Sequence, residues 1–379
     1  MERSNGVALR WLRRGLIGLV VATVALLTIA FVAIEIIGLR IAAETRIDTP
    51  NGIESLESVR LGGVDQTIYL RGRDRTNPIL LFVHGGPGSP EMGAAREFGL
   101  RLEEHFVVVH WDQRGAGNSC SSEVPDESLH LEQYVADTLE LVNHLRDRFG
   151  KERVFLLGHS WGSVLGVLAA QRHPELFHAY IGLGQVVHMQ RNEEISYRFV
   201  VERARAEGNE EALEALAGIA PPYAEIEDLM LQRAWLGHYG GAVRDGDPFV
   251  MIARSLIVSP EYSLAAKLSF YACAMNSLDQ AWGDLDTIDF LRDVTRLDVP
   301  VYFLTGRHDY NTPFELVEEW MGSLEAPHTE IIWFEESAHM ANLEEPEAFQ
   351  DALIQNVLGK VLGENASDRP TPANTPPVR

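Results

Sequence analysis

Five residues, Gly158-His159-Ser160-Trp161-Gly162, lie between a short apolar run, Arg153 to Leu157, and a helical stretch, Val164 to Arg172. A chain that passes from strand to helix in so few residues needs small flanking positions, which Gly158 and Gly162 supply, and it lifts the central hydroxyl above the sheet. The surrounding sequence repeats the alternation. Pro78 to Val83, Phe106 to Trp111 and Ala179 to Leu183 have the length and apolar character of buried strands. Leu131, Tyr134, Val135, Leu139, Val142 and Leu145 recur at helical spacing, and Gly150 ends that helix. Strand and helix in turn predict an α/β fold with a mostly parallel, doubly wound sheet.

Ahead of this core, Leu56 to Leu61 and Gln66 to Leu70 read as strands joined by a turn at Gly62-Gly63. After about Gln185 the alternation gives way to a helical pattern that lasts to about Thr295, read as a cap over residues 186–295. Strand and helix resume with Val299 to Leu304, Pro313 to Leu324, Glu330 to Phe334 and Pro346 to Val361. The expected catalytic domain therefore comprises residues 50–185 and 296–362. From Glu364 the chain is rich in Pro, Thr and Asn, so 363–379 is expected to be a disordered tail.

A serine hydroxyl is a weak nucleophile at neutral pH and needs a base, which in turn needs an orienting carboxylate. The order expected for a serine in this strand-turn-helix setting is Ser, acid, His. Asp309 follows the strand Val299 to Leu304, and His339 follows the strand-like Glu330 to Phe334, both where carboxyl-edge residues of such a sheet belong. Asp112 is a rival acid, but it precedes Ser160 and reads as part of a structural turn; His159 and His308 read as supporting residues. Charge developing on a carbonyl oxygen needs backbone donors. These are expected from Trp161, just after the serine, and from the loop His84-Gly85-Gly86-Pro87-Gly88, with Gly86 preferred over Gly85. That loop lacks the lysine and Ser/Thr of a phosphate-binding loop. The chemistry calls for no metal and no cofactor.

Gly15 to Ile34 runs for twenty residues without a charge. At about 1.5 Å per residue this spans the roughly 30 Å hydrocarbon layer and is longer than the hydrophobic region of a signal peptide, so residues 15–39 are read as a transmembrane anchor. Arg3, Arg10, Arg13 and Arg14 precede the run and only Arg40 and Arg46 follow closely. Residues 1–14 are then cytoplasmic and the catalytic domain extracytoplasmic. The chain carries 55 acidic and 32 basic residues, a net charge of −23, which speaks against nucleic acid as a partner. Its two cysteines, Cys120 and Cys273, can pair in an oxidising compartment or remain thiols.

Taken together, His84 to Gly88, Asp112 to Ser119, Gly158 to Gly162 and the Asp309 and His339 segments resemble the proline iminopeptidase group of α/β-hydrolases. The resemblance implies the α/β-hydrolase fold and an enzyme that releases an N-terminal residue, usually proline, from peptides, with cap carboxylates holding the free amino group. Glu193 and Glu194, with Glu202, are the candidates for that role, the alternative being a charged helix face in water, and Arg233 to Gly237 matches the group's cap signature only loosely. A carboxylesterase or lactonase acting on a small ester is the alternative.

Overall fold

The computed structural model describes residues 2–223, 225–246 and 248–367. Eight strands form one sheet in the order β1-β2-β4-β3-β5-β6-β7-β8. They are β1 (Ile53–Leu61), β2 (Val64–Gly72), β3 (Ile79–Val83), β4 (Val107–Asp112), β5 (Val154–His159), β6 (Phe177–Leu183), β7 (Val301–Gly306) and β8 (Thr329–Phe334). β1 and β2 form the expected hairpin across Gly62 and Gly63, both at positive φ, and β2 joins β4 antiparallel. Every later pairing is parallel.

The central strands are apolar on both faces because both are covered. Ile79, Leu81, Val83, Val107, Val109 and Leu156 point into one core, while Leu80, Phe82, Val108, Phe155 and Leu157 point into another. This is the two-residue period of a strand read twice, once per face. Helices α2 (Leu131–Phe149) and α3 (Trp161–Arg172) pack into the first core, and Phe349, Leu353 and Val357 of the C-terminal helical run close the second. Gly150 ends α2 in the left-handed conformation, as its sequence position requires.

Between β6 and β7 the chain is helical, with α4 (Met189–Glu207), α5 (Ile226–His238), α6 (Pro248–Val258) and α7 (Leu264–Leu285) as its longer helices. Cys120 and Cys273 form a disulfide that ties the loop after β4 to α7. After β7, α8 (Phe314–Ser323) leads to β8. The last helix, Gly359–Ser367, continues past the Glu364 start expected for the tail, since Leu362 and its neighbours extend the helical run begun at Pro346; residues 368–379 lie outside the described residues. At the other end α1 (Glu2–Glu44) contains the uncharged run, and its side chains from Trp11 to Ala33 are exposed. From Trp11 to Glu44 it is long and apolar enough to cross a membrane.

Candidate active site

Ser160 occupies the turn between β5 and α3 at φ 53°, and among the described residues it is the one non-glycine at positive φ. The backbone is held there by Ser160 N–H donating to Leu183 O at 2.9 Å and by Ser163 N–H donating to Ser160 O at 2.8 Å. A Cβ on Gly158 would strike the Gly162 carbonyl, and one on Gly162 would strike the Val83 carbonyl. The glycines therefore let strand and helix pass within contact, at a strained position that local bonding maintains.

Asp309 and His339, thirty residues apart, are brought together by the loops that follow β7 and β8. His339 Nδ1 lies 2.9 Å from Asp309 Oδ2. The carboxylate is fully buried and further held by N–H groups of Asn311 and Thr312 on Oδ1, at 2.9 and 2.8 Å, and by the Thr312 hydroxyl on Oδ2 at 2.8 Å. With its other lone pairs occupied, the carboxylate presents one side to the imidazole. Ser160 and His339 share a cavity of about 270 Å³ with Gly86, Trp161, Asn192, Glu193, Arg233 and Trp282.

Gly85 donates its N–H to Glu91 Oε1 at 3.2 Å, whereas among the described residues the N–H groups of Gly86 and Trp161 have no protein partner. The loop is braced from below by the Asp112 segment. Gln113 donates its backbone N–H to His84 Nε2 at 3.1 Å and its amide to His84 O at 2.8 Å, and it accepts from Trp161 Nε1 at 3.0 Å. Burial pushes His84 down to about 4, so its ring stays neutral and can accept that bond. Asp112 does not reach His339; it accepts from Asn118 N–H and the Tyr262 hydroxyl, and burial raises it to about 7. It belongs to the turn.

Glu91 was not singled out in the sequence. It lies seven residues past His84 with no motif to mark it, yet its carboxylate links three separate segments: Gly85, His159 Nδ1 at 2.6 Å and Asn342 at 3.5 Å. His159 Nε2 in turn faces the His339 carbonyl at 3.3 Å. Burial opposes charge on both members, but each partner's charge prevails, so Glu91 is lowered and His159 raised. The pair's stabilisation is lost as pH falls through the lowered Glu91 value, below 4.5, and as pH rises through the raised His159 value, above 6.5. The difference in thermal unfolding between wild type and Glu91→Gln should accordingly be widest between those limits and narrow on both sides. A pH-independent difference would contradict an ionised pair.

The two carboxylates proposed for the cap separate. Glu193 is buried on the cavity wall, where its Oε1 accepts from Arg233 Nη2 at 2.5 Å. Glu194, one residue on and thus about 100° around α4, is exposed outside the cavity, as is Glu202. His308 also lies elsewhere; its side chain lines a surface depression with Arg203 and Tyr310.

The sequence profile of the alpha/beta hydrolase family matches residues 80–352. The chain belongs to that family. The probable aminopeptidase YbaC of Bacillus subtilis is 31% identical to this hydrolase over 312 residues, covering 82% of this chain and 98% of the relative. A proline iminopeptidase of Levilactobacillus brevis is 27% identical over 301 residues, covering 76% and 92%. The crystal structure of proline iminopeptidase from Mycobacterium smegmatis superposes with a TM-score of 0.59 at 20% identity, covering 82% of this hydrolase and all of the other chain. Within the family, the hydrolase resembles the proline iminopeptidase group.

Proposed function

We propose that this hydrolase is a membrane-anchored serine aminopeptidase that releases proline or a similar residue from the N-terminus of peptides. Ser160 Oγ attacks the carbonyl carbon of the first residue while His339 Nε2 takes its proton. Asp309 holds the imidazole through Nδ1 and stabilises it once charged. The N–H groups of Trp161 and Gly86 receive the oxyanion; Gly85, whose N–H is committed to Glu91, does not. His339 then returns the proton to the departing amine, and water releases the acyl group by the same route in reverse. The helices of residues 186–295 form the cap that admits the substrate.

The observation that carries the peptidase reading is a pair of acceptors. Glu193 Oε2 and Asn192 Oδ1 are buried and unpartnered among the described residues, and both residues line the cavity that holds Ser160. Buried acceptors without donors are costly, and a substrate ammonium satisfies both. Arg233 takes the other Glu193 oxygen and fixes the carboxylate's orientation. Glu193→Gln should lower kcat/KM for prolyl amides by roughly 10- to 100-fold, the worth of a charge-assisted hydrogen bond, and leave short acyl esters unchanged. Equal losses on both substrates, or esters as the better substrates of the wild type, would instead support a carboxylesterase or lactonase.

Residues 15–39 act as the anchor, with residues 1–14 in the cytoplasm and the hydrolase domain outside it. The disulfide supports that placement, since such bonds persist in oxidising compartments. Protease added to intact cells should cleave the domain; protection until lysis would place it inside.

A further inference from the structure

The anchor helix packs along the globular part before it leaves it, and this sets which side faces the bilayer. Near its end, Thr45 accepts from Arg96 Nη1 at 2.8 Å and, through its carbonyl, from Arg71 Nη2 at 2.6 Å; Arg71 is paired with Val108, near the start of β4. Two turns earlier, Gly38 lies so close to the Val258 carbonyl that a Cβ would collide with it. A few residues beyond Val258, Tyr262 donates to Asp112, the last residue of β4. One turn earlier still, Glu35 accepts from Lys267 of α7 at 3.2 Å. Followed backwards, the contacts of α1 thus run from Arg71 and Arg96 to Val258 and Lys267, whose segments lie by the carboxyl end of β4, and the uncharged run continues beyond them. That carboxyl edge of the sheet carries Ser160.

At the level where the run ends, the surface is apolar. Leu264, Leu268 and Tyr271 recur at i, i+4 and i+7 on α7 and are 50%, 78% and 59% exposed. They bracket Lys267, which holds Glu35, the residue directly after the uncharged run. On α6, Val250 and Ile257 are exposed with Arg254 between them, and Ile36, Ile37 and Leu39 of α1 are exposed alongside. Apolar stripes on the outer side of a helix suit one lying in the boundary between headgroups and acyl chains. The opposite side of α6 contributes Ile252 to the cavity wall.

We propose that this face of α6 and α7 rests in the outer interface of the bilayer that α1 spans, so that α6 separates the cavity from lipid. The proposal rests on reading α1 as an anchor, and its test is built to tell the two apart. Because Cys120 and Cys273 are paired, a third cysteine in the full chain can be spin-labelled selectively. Leu264→Cys, Leu268→Cys, Val24→Cys and Asp298→Cys are placed separately in vesicles of phosphatidylcholine and phosphatidylglycerol. Asp298 is exposed ahead of β7, at the sheet edge away from Ser160. Collisions with dissolved oxygen should exceed those with an aqueous nickel chelate at Val24. At positions 264 and 268 the ratio should shift severalfold in the same direction relative to position 298. A lipid signal at 24 with 264 and 268 behaving like 298 would overturn the proposal and leave the anchor. An aqueous signal at 24 would overturn both, and shielding of 264 and 268 from both reagents would overturn it in favour of a protein partner.

Discussion

Ser160→Ala should abolish turnover of every substrate the wild type accepts, lowering kcat by roughly 10⁴- to 10⁶-fold, as expected when the nucleophile of a serine–histidine pair is removed. The fold should be unaffected, because the bonds that hold residue 160 run through its backbone N–H and carbonyl. The substitution deletes one hydroxyl from a half-buried position. The measurement is release of a fluorogenic amine from prolyl amides, together with labelling by an active-site phosphonate. Retained labelling or activity within a factor of ten would remove Ser160 from the mechanism. Asp309→Asn should act through the base instead: it keeps the shape of a carboxylate that accepts from Asn311, Thr312 and His339 but turns the imidazole toward the wrong tautomer, with a loss of about 10⁴-fold in kcat.

Removing the disulfide should have the largest effect on stability. It joins positions 153 residues apart, and closing a loop of that size restricts the unfolded chain by roughly 5 kcal/mol. For a domain of this size that corresponds to a fall of about 7 °C in the unfolding temperature. Cys120→Ser, or reductant, should produce it. The effect should also reach the site, because the bridge pins the helix that carries Leu278, Trp282 and Leu285 of the cavity wall. KM for prolyl amides should rise before kcat changes, since Ser160, Asp309 and His339 sit on the sheet side. An unfolding temperature unchanged by reductant would show that the bond does not contribute.

Some pairings escaped the sequence for a definite reason. Glu193 and Arg233 lie on different helices forty residues apart, and helical period tells which face a residue shares but not what packs against that face. Period alone could not separate Glu193 from Glu194 as cavity and solvent residues until the partner helix was in place. Glu91 and His159 are sixty-eight residues apart, joined only because the glycine loop folds over the end of β5. The preference for Gly86 over Gly85 was legible in the glycine loop itself, and the Gly85 N–H bond to Glu91 is in keeping with it.

What the sequence determined by itself is what local geometry dictates. This includes a strand-turn-helix around Ser160 that only glycines at 158 and 162 permit, an alternation that builds a parallel sheet, an acid and a histidine each placed just after a strand, and a twenty-residue run with no charge. The tertiary structure brought Asp309 to His339 as their order led one to expect, and it alone decided that Glu193 meets Arg233, Cys120 meets Cys273, and α1 meets the face beside the cavity. Backbone preferences act over a few residues and can be read in order along the chain. Contacts across loops depend on how whole elements pack, and that information exists only once they do.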